Sequence, residues 1–367
     1  MPAGPTATRR LAGRRLAVLP SALAVAFCVA LLGSAAASEG LPLTGQAVND
    51  ATFAKTVRTA EGATVESKSI GRALLVKLQV LLDRRSFSVG VIDGLPGDKV
   101  TEAVRALEFA ESLKPDGLVD EDVWATLAAE SIRPALVDYE ITEADVAGPY
   151  LESVPEDVGA LSKLKSVAYT GPLEMLAERF HMAEELLVEL NPGKDFAEAG
   201  TVVVVADPGE PLAEPGVESL EIDGAAGRVR AFDGEGALVA AYPASVGSPA
   251  APAPRGSHKV RTVALDPAYT HVSSSGDEKL HVPPGPNGPV GSAWIDLTLE
   301  GCGLHGTAEP AALDREPVQG CVRLTNWDAR ELAHLVREGT KVVFLEAGEA
   351  PDDPASATGS SEEAAAQ

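Results

Sequence analysis

The apolar residues of this chain change their spacing at the Pro/Glu/Gly-rich stretch Pro208 to Pro215, and that change limits the possible folds more than any other feature. Before it, Leu74, Leu75, Leu78, Leu81 and Leu82, then Ala103, Ala106, Leu107 and Ala110, recur three and four residues apart, the period of an amphipathic helix. After it, the apolar residues fall in short β-like blocks bounded by Gly and Asp turns. Helical units come first and a mostly β unit last, which predicts a multidomain α+β protein.

The helical part divides in two. In the first unit, over residues 66–132, the Leu74 to Leu82 helix leads into a turn-rich loop ending at Asp93-Gly94. A second helix and a second loop, Asp116-Gly117, follow, and then a short helix with Trp124 and Leu127. Asp-Gly pairs favour tight turns with positive φ. The second unit, residues 134–207, carries Leu173, Leu176, Ala177 and Phe180 at helical spacing. A second helix with Leu186, Leu187 and Leu190 comes next, and then the β-like run Thr201 to Val205. A strand ahead of these helices, near Tyr169, completes the order strand, helix, helix, strand.

The β part covers residues 216–347. Arg228 to Phe232 and Ala237 to Pro243 form a hairpin about the turn Asp233 to Gly236, and further strands fall at Lys259 to Ala264, Ala293 to Leu297 and Val342 to Leu345. One helix, Trp327 to Arg337, opens after Asn326 as its N-cap and stops near Gly339. Asp328 falls in its first turn, where the helix dipole accounts for it, and Trp294 reads as core packing. Residues 38–65, polar or small with no sustained period, read as a linker, and 348–367 as a disordered tail.

The N-terminus indicates export. Arg9, Arg10, Arg14 and Arg15 precede an uncharged apolar run, Leu16 to Leu32, that closes on small residues. The run is short for a bilayer span, so residues 1–37 read as a cleaved signal peptide, no stable span remains, and the protein works in the periplasm or cell wall. The formal net charge is -24; losing four arginines leaves 26 basic against 54 acidic residues, or -28. A surface so acidic repels phosphate backbones, which excludes nucleic acid as a partner.

After residue 37 only Cys302 and Cys321 remain. Exported cysteines usually pair, but Cys321 lies in the dense block Gly320-Cys321-Val322-Arg323-Leu324, where a bridge would silence a reactive thiol, so the expectation is a free Cys321. Sixteen residues upstream stands His305, in Gly303-Leu304-His305-Gly306-Thr307. A thiol attacks a carbonyl effectively only as thiolate, so it needs an imidazole or a positive dipole nearby. It also needs donors aimed at the developing oxyanion, and the turn at Gly320 can bring the N–H groups of Gly320 and Cys321 toward one point. His305 can take the thiol proton and return it to a leaving amine. Spacing alone does not decide this, because a Cys and a His this close also occur by chance. His181, His258, His271, His281 and His334 show no metal-ligand spacing with one another, so neither metal nor cofactor is expected.

Several blocks together resemble the catalytic domain of L,D-transpeptidases. They are Tyr242-Pro243-Ala244-Ser245-Val246-Gly247, Pro283 to Gly291, Ala293-Trp294-Ile295-Asp296-Leu297, and the two blocks around His305 and Cys321. The resemblance implies that Cys321 is the nucleophile, His305 the proton acceptor and donor, and the backbone of Gly320 and Cys321 the oxyanion hole. It also implies substrate contacts at Arg323, Gln319 and Thr307, with a structural ion pair as the alternative for Arg323. The implied reaction passes a peptidoglycan tetrapeptide stem through a thioester to an amine, giving a 3→3 cross-link. The chain departs from the family at Val318 and Gln319, where Ser and often His precede Gly-Cys. A hydrolase giving the same thioester to water, and a wall-binding protein without catalysis, are the competing readings. In the first helical unit, Gly90-Val91-Ile92-Asp93-Gly94, Gly97, Asp116-Gly117 and Trp124 resemble a small three-helix peptidoglycan-binding domain. The second resembles a LysM-like domain, with Thr170-Gly171-Pro172 in place of the usual Gly-Asp-Thr turn. The implied partners are stem peptides and glycan strands.

Overall fold

The computed structural model describes residues 42–53, 70–212, 216–247, 252–272, 279–313 and 322–345. The stretches read as signal peptide and tail, and Val318, Gln319, Gly320 and Cys321, lie outside the described residues.

Helix α1 (Gly45–Asp50) lies within the stretch read as linker. Its Val48 is buried, and Asn49 exchanges two hydrogen bonds with the backbone of Leu136, at 2.8 and 2.9 Å. A helix of one and a half turns has too few apolar positions to show a period, so it left no sequence signal. Helices α2 (Arg72–Asp83), α3 (Asp98–Ala110) and α4 (Glu121–Thr126) form the first unit at the expected positions. One buried polar side chain holds each Asp-Gly turn. Gln79 on α2 accepts from the N–H of Gly94 at 2.8 Å, and Glu108 on α3 accepts from the N–H of Gly117 at 2.7 Å. Gly94 has φ +69°, and a Cβ there would meet Val76 at 2.7 Å, so the turn requires glycine.

In the second unit, strand β1 (Leu136–Glu140) is followed by α5 (Glu143–Ala147), α6 (Val158–Leu161), α7 (Pro172–Arg179) and α8 (Glu184–Leu190). Strand β2 (Val202–Ala206) closes the unit and pairs antiparallel with β1, Leu136 opposite Ala206. The first strand therefore lies some thirty residues before Tyr169, where the sequence reading put it. In β1 only Leu136 is fully buried, so no apolar alternation marked it. Asp145 on α5 accepts from the Tyr139 hydroxyl at 2.6 Å, the Thr142 N–H at 2.8 Å and Arg179 at 2.8 Å. Burial pushes its carboxyl up, but these donors outweigh burial and hold it at about 2.

The third unit contains β3 (Ser219–Asp223), β4 (Arg228–Phe232), β5 (Leu238–Pro243), β6 (Ser245–Val246) and β7 (Gly256–Leu265). A separate hairpin, β8 (Tyr269–Val272) and β9 (Lys279–Val282), precedes β10 (Ala293–Leu297), β11 (Gly303–His305) and β12 (Val322–Arg323). Helix α9 (Asn326–Leu335) and β13 (Lys341–Phe344) complete it. Nine strands form one sheet in the order β5-β4-β3-β13-β7-β10-β11-β12-β6. Leu220, Ile222, Ile295, Leu304 and Val342 build its core together with Leu332 and Leu335 of α9. The cap of α9 is Thr325, whose hydroxyl accepts from the Asp328 N–H at 3.1 Å, not Asn326, which is already helical.

The three units share buried surface. Edge strand β5 is covered by residues 86–88 of the first unit. The Ser88 N–H donates to the Ala241 carbonyl and the Ala241 N–H to the Ser86 carbonyl, both at 2.9 Å. Phe232 meets Phe109 edge to face at 6.4 Å, and Phe232, Leu238 and Ala241 belong to the hydrophobic core that the two helical units share. Over the described residues these contacts make the three units one packed body.

At this junction, buried acids meet a histidine. His181 pairs with Asp83 at 2.7 Å and stacks on Trp327 at 5.1 Å. Burial lowers the affinity of His181 for its proton, but Asp83 outweighs it and raises the pKa. Burial, reinforced by Asp83, pushes Asp328 up to about 8, and burial pushes Glu178 up to about 7. The two acids keep protons in the folded state that the unfolded chain sheds above about pH 4, and His181 holds its proton to higher pH when folded. All three terms lose stability as pH rises. Unfolding free energy is expected to fall between pH 5 and 8, by up to about 1.4 kcal/mol per pH unit for each proton involved. Urea melts across that range test this, and Asp328→Asn should flatten the slope.

Candidate active site

His305 ends β11 and is 1 % exposed. Its Nδ1 lies 2.7 Å from the carbonyl oxygen of Gly306, an atom that can only accept, so Nδ1 carries the hydrogen and Nε2 is the basic nitrogen. The ring stacks on Trp294 of β10 at 5.6 Å and 21°. Trp294 is half-buried and outside the hydrophobic core, contrary to the core-packing expectation, and its contact with the ring positions the histidine. Gly303 makes room for this stack, because a Cβ there would fall 2.6 Å from the Trp294 ring.

Strand β12 pairs parallel with β11, Leu304 opposite Val322 and His305 opposite Arg323, and the Leu324 N–H donates to the His305 carbonyl at 2.8 Å. The described chain therefore resumes, one residue after Cys321, alongside the histidine strand. Arg323 is buried and donates to the carbonyl of Leu313 at 3.2 Å. That contact gives it a structural task. Thr307 is buried, and its hydroxyl accepts from the Glu309 N–H at 3.1 Å. Gln319, Gly320 and Cys321 lie outside the described residues. Cys302, on the turn before β11, is buried and disulfide-bonded, with its partner outside the described residues. The expectation of unbridged thiols does not hold for Cys302.

The segments around His305 meet at Asn326. Its Oδ1 accepts from the Ser292 N–H at 3.0 Å. Its Nδ2 donates to both Glu178 oxygens at 3.0 Å and to the Pro286 carbonyl at 3.1 Å. A Cβ on Gly306 would lie 2.2 Å from the Asn326 Oδ1, and one on Gly291, at φ +59°, 2.0 Å. Both glycines are required by the close approach. Sequence reasoning missed Glu178 and gave Asn326 a capping role. The available signal was that apolar residues run right round α7 and beyond, through Leu173, Met175, Leu176, Ala177 and Met182. That pattern marks a helix buried on more than one side, so a carboxylate within it needs a partner.

A cavity of about 360 Å³ opens between α7, α8 and Ala308–Ala312, the segment that follows Thr307. Glu174, Glu178, Glu184, Glu185 and Glu309 line it, so its walls suit a cationic group better than an anion. No group of three or more His, Cys, Asp or Glu suited to a metal occurs among the described residues, and no helix among them is long and apolar enough to cross a membrane.

The site thus presents a buried, oriented histidine on a β-sheet domain that packs on a helical unit. Residues 218–344 match the family model of the L,D-transpeptidase catalytic domain, and residues 72–127 that of a "Putative peptidoglycan binding domain". The chain thus carries an L,D-transpeptidase catalytic domain and a peptidoglycan-binding domain. It is 28% identical over 172 residues to "Putative L,D-transpeptidase YkuD" of Bacillus licheniformis, covering 46% of this chain and 91% of that protein. It is also 28% identical over 204 residues to "Probable L,D-transpeptidase YbiS" of Escherichia coli K12, covering 52% of this chain and 63% of that one. Among solved structures, an L,D-transpeptidase from Xylanimonas cellulosilytica aligns with 17% identity over 77% of this chain and 97% of that chain. The TM-score of that pair, 0.31, is too low to inform the fold.

Proposed function

We propose that this protein is an exported peptidoglycan L,D-transpeptidase in which Cys321 is the nucleophile and His305 the general base and acid. The observation that carries the reading is the His305 Nδ1 to Gly306 hydrogen bond. It fixes the tautomer that leaves Nε2 basic, on the strand beside which the chain resumes after Cys321. Nε2 takes the Cys321 proton, and the thiolate attacks the carbonyl carbon of the third stem residue. The C–N bond to the terminal D-alanine breaks, and the proton passes to that leaving amine. The N–H groups of Gly320 and Cys321 hold the oxyanion, while Gln319, Thr307 and Arg323 line the donor stem. An amine of a second stem then displaces the thiolate, forming the 3→3 amide and returning a proton through His305. The family match over 218–344 supports this chemistry. The peptidoglycan-binding domain and the second, LysM-like unit (residues 134–207) supply the contact with stems and glycan strands. The place of action is the periplasm or cell wall, after removal of residues 1–37.

The disulfide of Cys302 sets a condition. A thiol held in a disulfide cannot attack a carbonyl, so a dithiol reductant is included to keep Cys321 free in the assay. With disaccharide tetrapeptide, the reduced protein is expected to form dimers with release of D-alanine, read by mass spectrometry, and the oxidised protein neither. D-alanine release without dimers would make it a hydrolase. Neither product from folded, reduced protein would overturn the proposal and leave a wall-binding role.

A further inference from the structure

The second unit reaches into the catalytic domain in a way that a wall-binding module does not need. Glu178, on α7, is 8 % exposed and places both carboxylate oxygens on Asn326 Nδ2. Tyr169 donates to the same carboxylate at 3.3 Å. Asn326 in turn touches the backbone of Gly306 so closely that no side chain fits there, and the Gly306 carbonyl is the acceptor that orients His305. Three consecutive contacts therefore run from Glu178 in the second unit to the imidazole.

The same unit also holds the loop that packs on Gly306 and Asn326. The Val167 N–H donates to the Pro284 carbonyl at 3.0 Å, and the Asn287 N–H donates back to the Val167 carbonyl at 3.1 Å. The Asn287 amide donates to Glu174 at 2.7 Å. Gly285 passes so near that a Cβ would lie 2.2 Å from the Val167 oxygen. The loop so held, Pro283 to Gly291, ends in the glycine that packs on Gly306 and Asn326. A merely tethered module would spread its contacts over exposed faces; this one concentrates buried polar contacts on the two segments that flank the histidine.

We propose that Glu178 is a positioning residue for His305, acting through Asn326 and Gly306, so that the second unit is an integral wall of the catalytic centre. This rests on the acyl-transfer reading of His305. The net effect on rate follows from geometry: a displacement of about 1 Å at the base can cost up to about 100-fold in turnover. Replacing Glu178 leaves Asn326 without the carboxylate that anchors its amide. The amide then keeps only its bonds to Ser292 and Pro286, and the Gly306 backbone that packs on it is less tightly fixed.

The test uses the full reduced chain and compares Glu178→Ala with Glu178→Gln, since Gln keeps an oxygen that can accept from Asn326. Glu178→Ala is expected to lower kcat by about 10- to 100-fold with KM nearly unchanged. Glu178→Gln is expected to restore kcat to within about threefold of the parent, because a neutral acceptor still holds the amide. The circular dichroism spectrum should match the parent for both. Parent-like kcat in folded Glu178→Ala overturns the inference, as does a loss in Glu178→Gln equal to that in Glu178→Ala. An inactive parent protein would instead count against the transpeptidase reading itself. If Glu178→Ala does not fold, the Gln variant decides alone: a kcat within threefold supports the inference, and a larger loss opposes it.

Discussion

Cys321→Ala is expected to fold as the parent does and to lose transpeptidation by at least about 10⁴-fold, the scale seen when a covalent nucleophile is removed. Cys302, the other cysteine outside the predicted signal peptide, is buried and disulfide-bonded. The expected result is that neither dimers nor free D-alanine appear above the blank, with an unchanged urea midpoint for the reduced proteins. Dimer formation near the parent rate would place the nucleophile elsewhere.

His305→Gln carries the second largest effect. The imidazole is expected to contribute about 10²- to 10⁴-fold as general base and acid. Because a thiol ionises without help near pH 8.5, the variant should recover with rising pH. The parent, with its base in place, should change far less over the same range. Stopped-flow acylation between pH 6 and 9.5 measures both. A variant as fast as the parent at pH 7, or one that shows no recovery toward high pH, would remove His305 from the role of base. The geometry supports the larger end of the range: the ring is stacked on Trp294, tied to Gly306 and excluded from water, so little of its orientation is left to chance.

Much of the fold was legible because local period determines it. Helices α2 and α3, the β4–β5 hairpin, β10 and the body of α9 lie where apolar spacing and turn residues put them. What escaped depends on partners distant in sequence. Strand β1 is recognisable only by its pairing with β2, 66 residues on. Helix α1 is stabilised by Asn49 against Leu136, 87 residues away. The packing of the first unit against edge strand β5 depends on Phe232 and Ala241, which as sequence are ordinary hairpin residues.

The site divides the same way. His305 and Trp294 stood in blocks that a sequence reader could place, and the family match covers both. Glu178 and Asn326 are 148 residues apart and meet only in the folded chain. Asn326 reads as the cap from sequence, yet the Thr325 hydroxyl takes that position and the Asn326 amide turns to the Pro286–Ser292 segment. The bond at Cys302 ran against the expectation of unbridged thiols, an expectation that followed from chemistry needed at Cys321 and not from anything around Cys302.

The most direct test of the account is to trap the acyl-enzyme. The reduced protein is incubated with a carbapenem, digested and mapped by mass spectrometry. The account predicts one stoichiometric adduct, on the peptide that contains Cys321, formed much more slowly in His305→Gln and absent from Cys321→Ala. An adduct on any other residue, or none on folded protein whose Cys321 thiol is shown to be free, would contradict it.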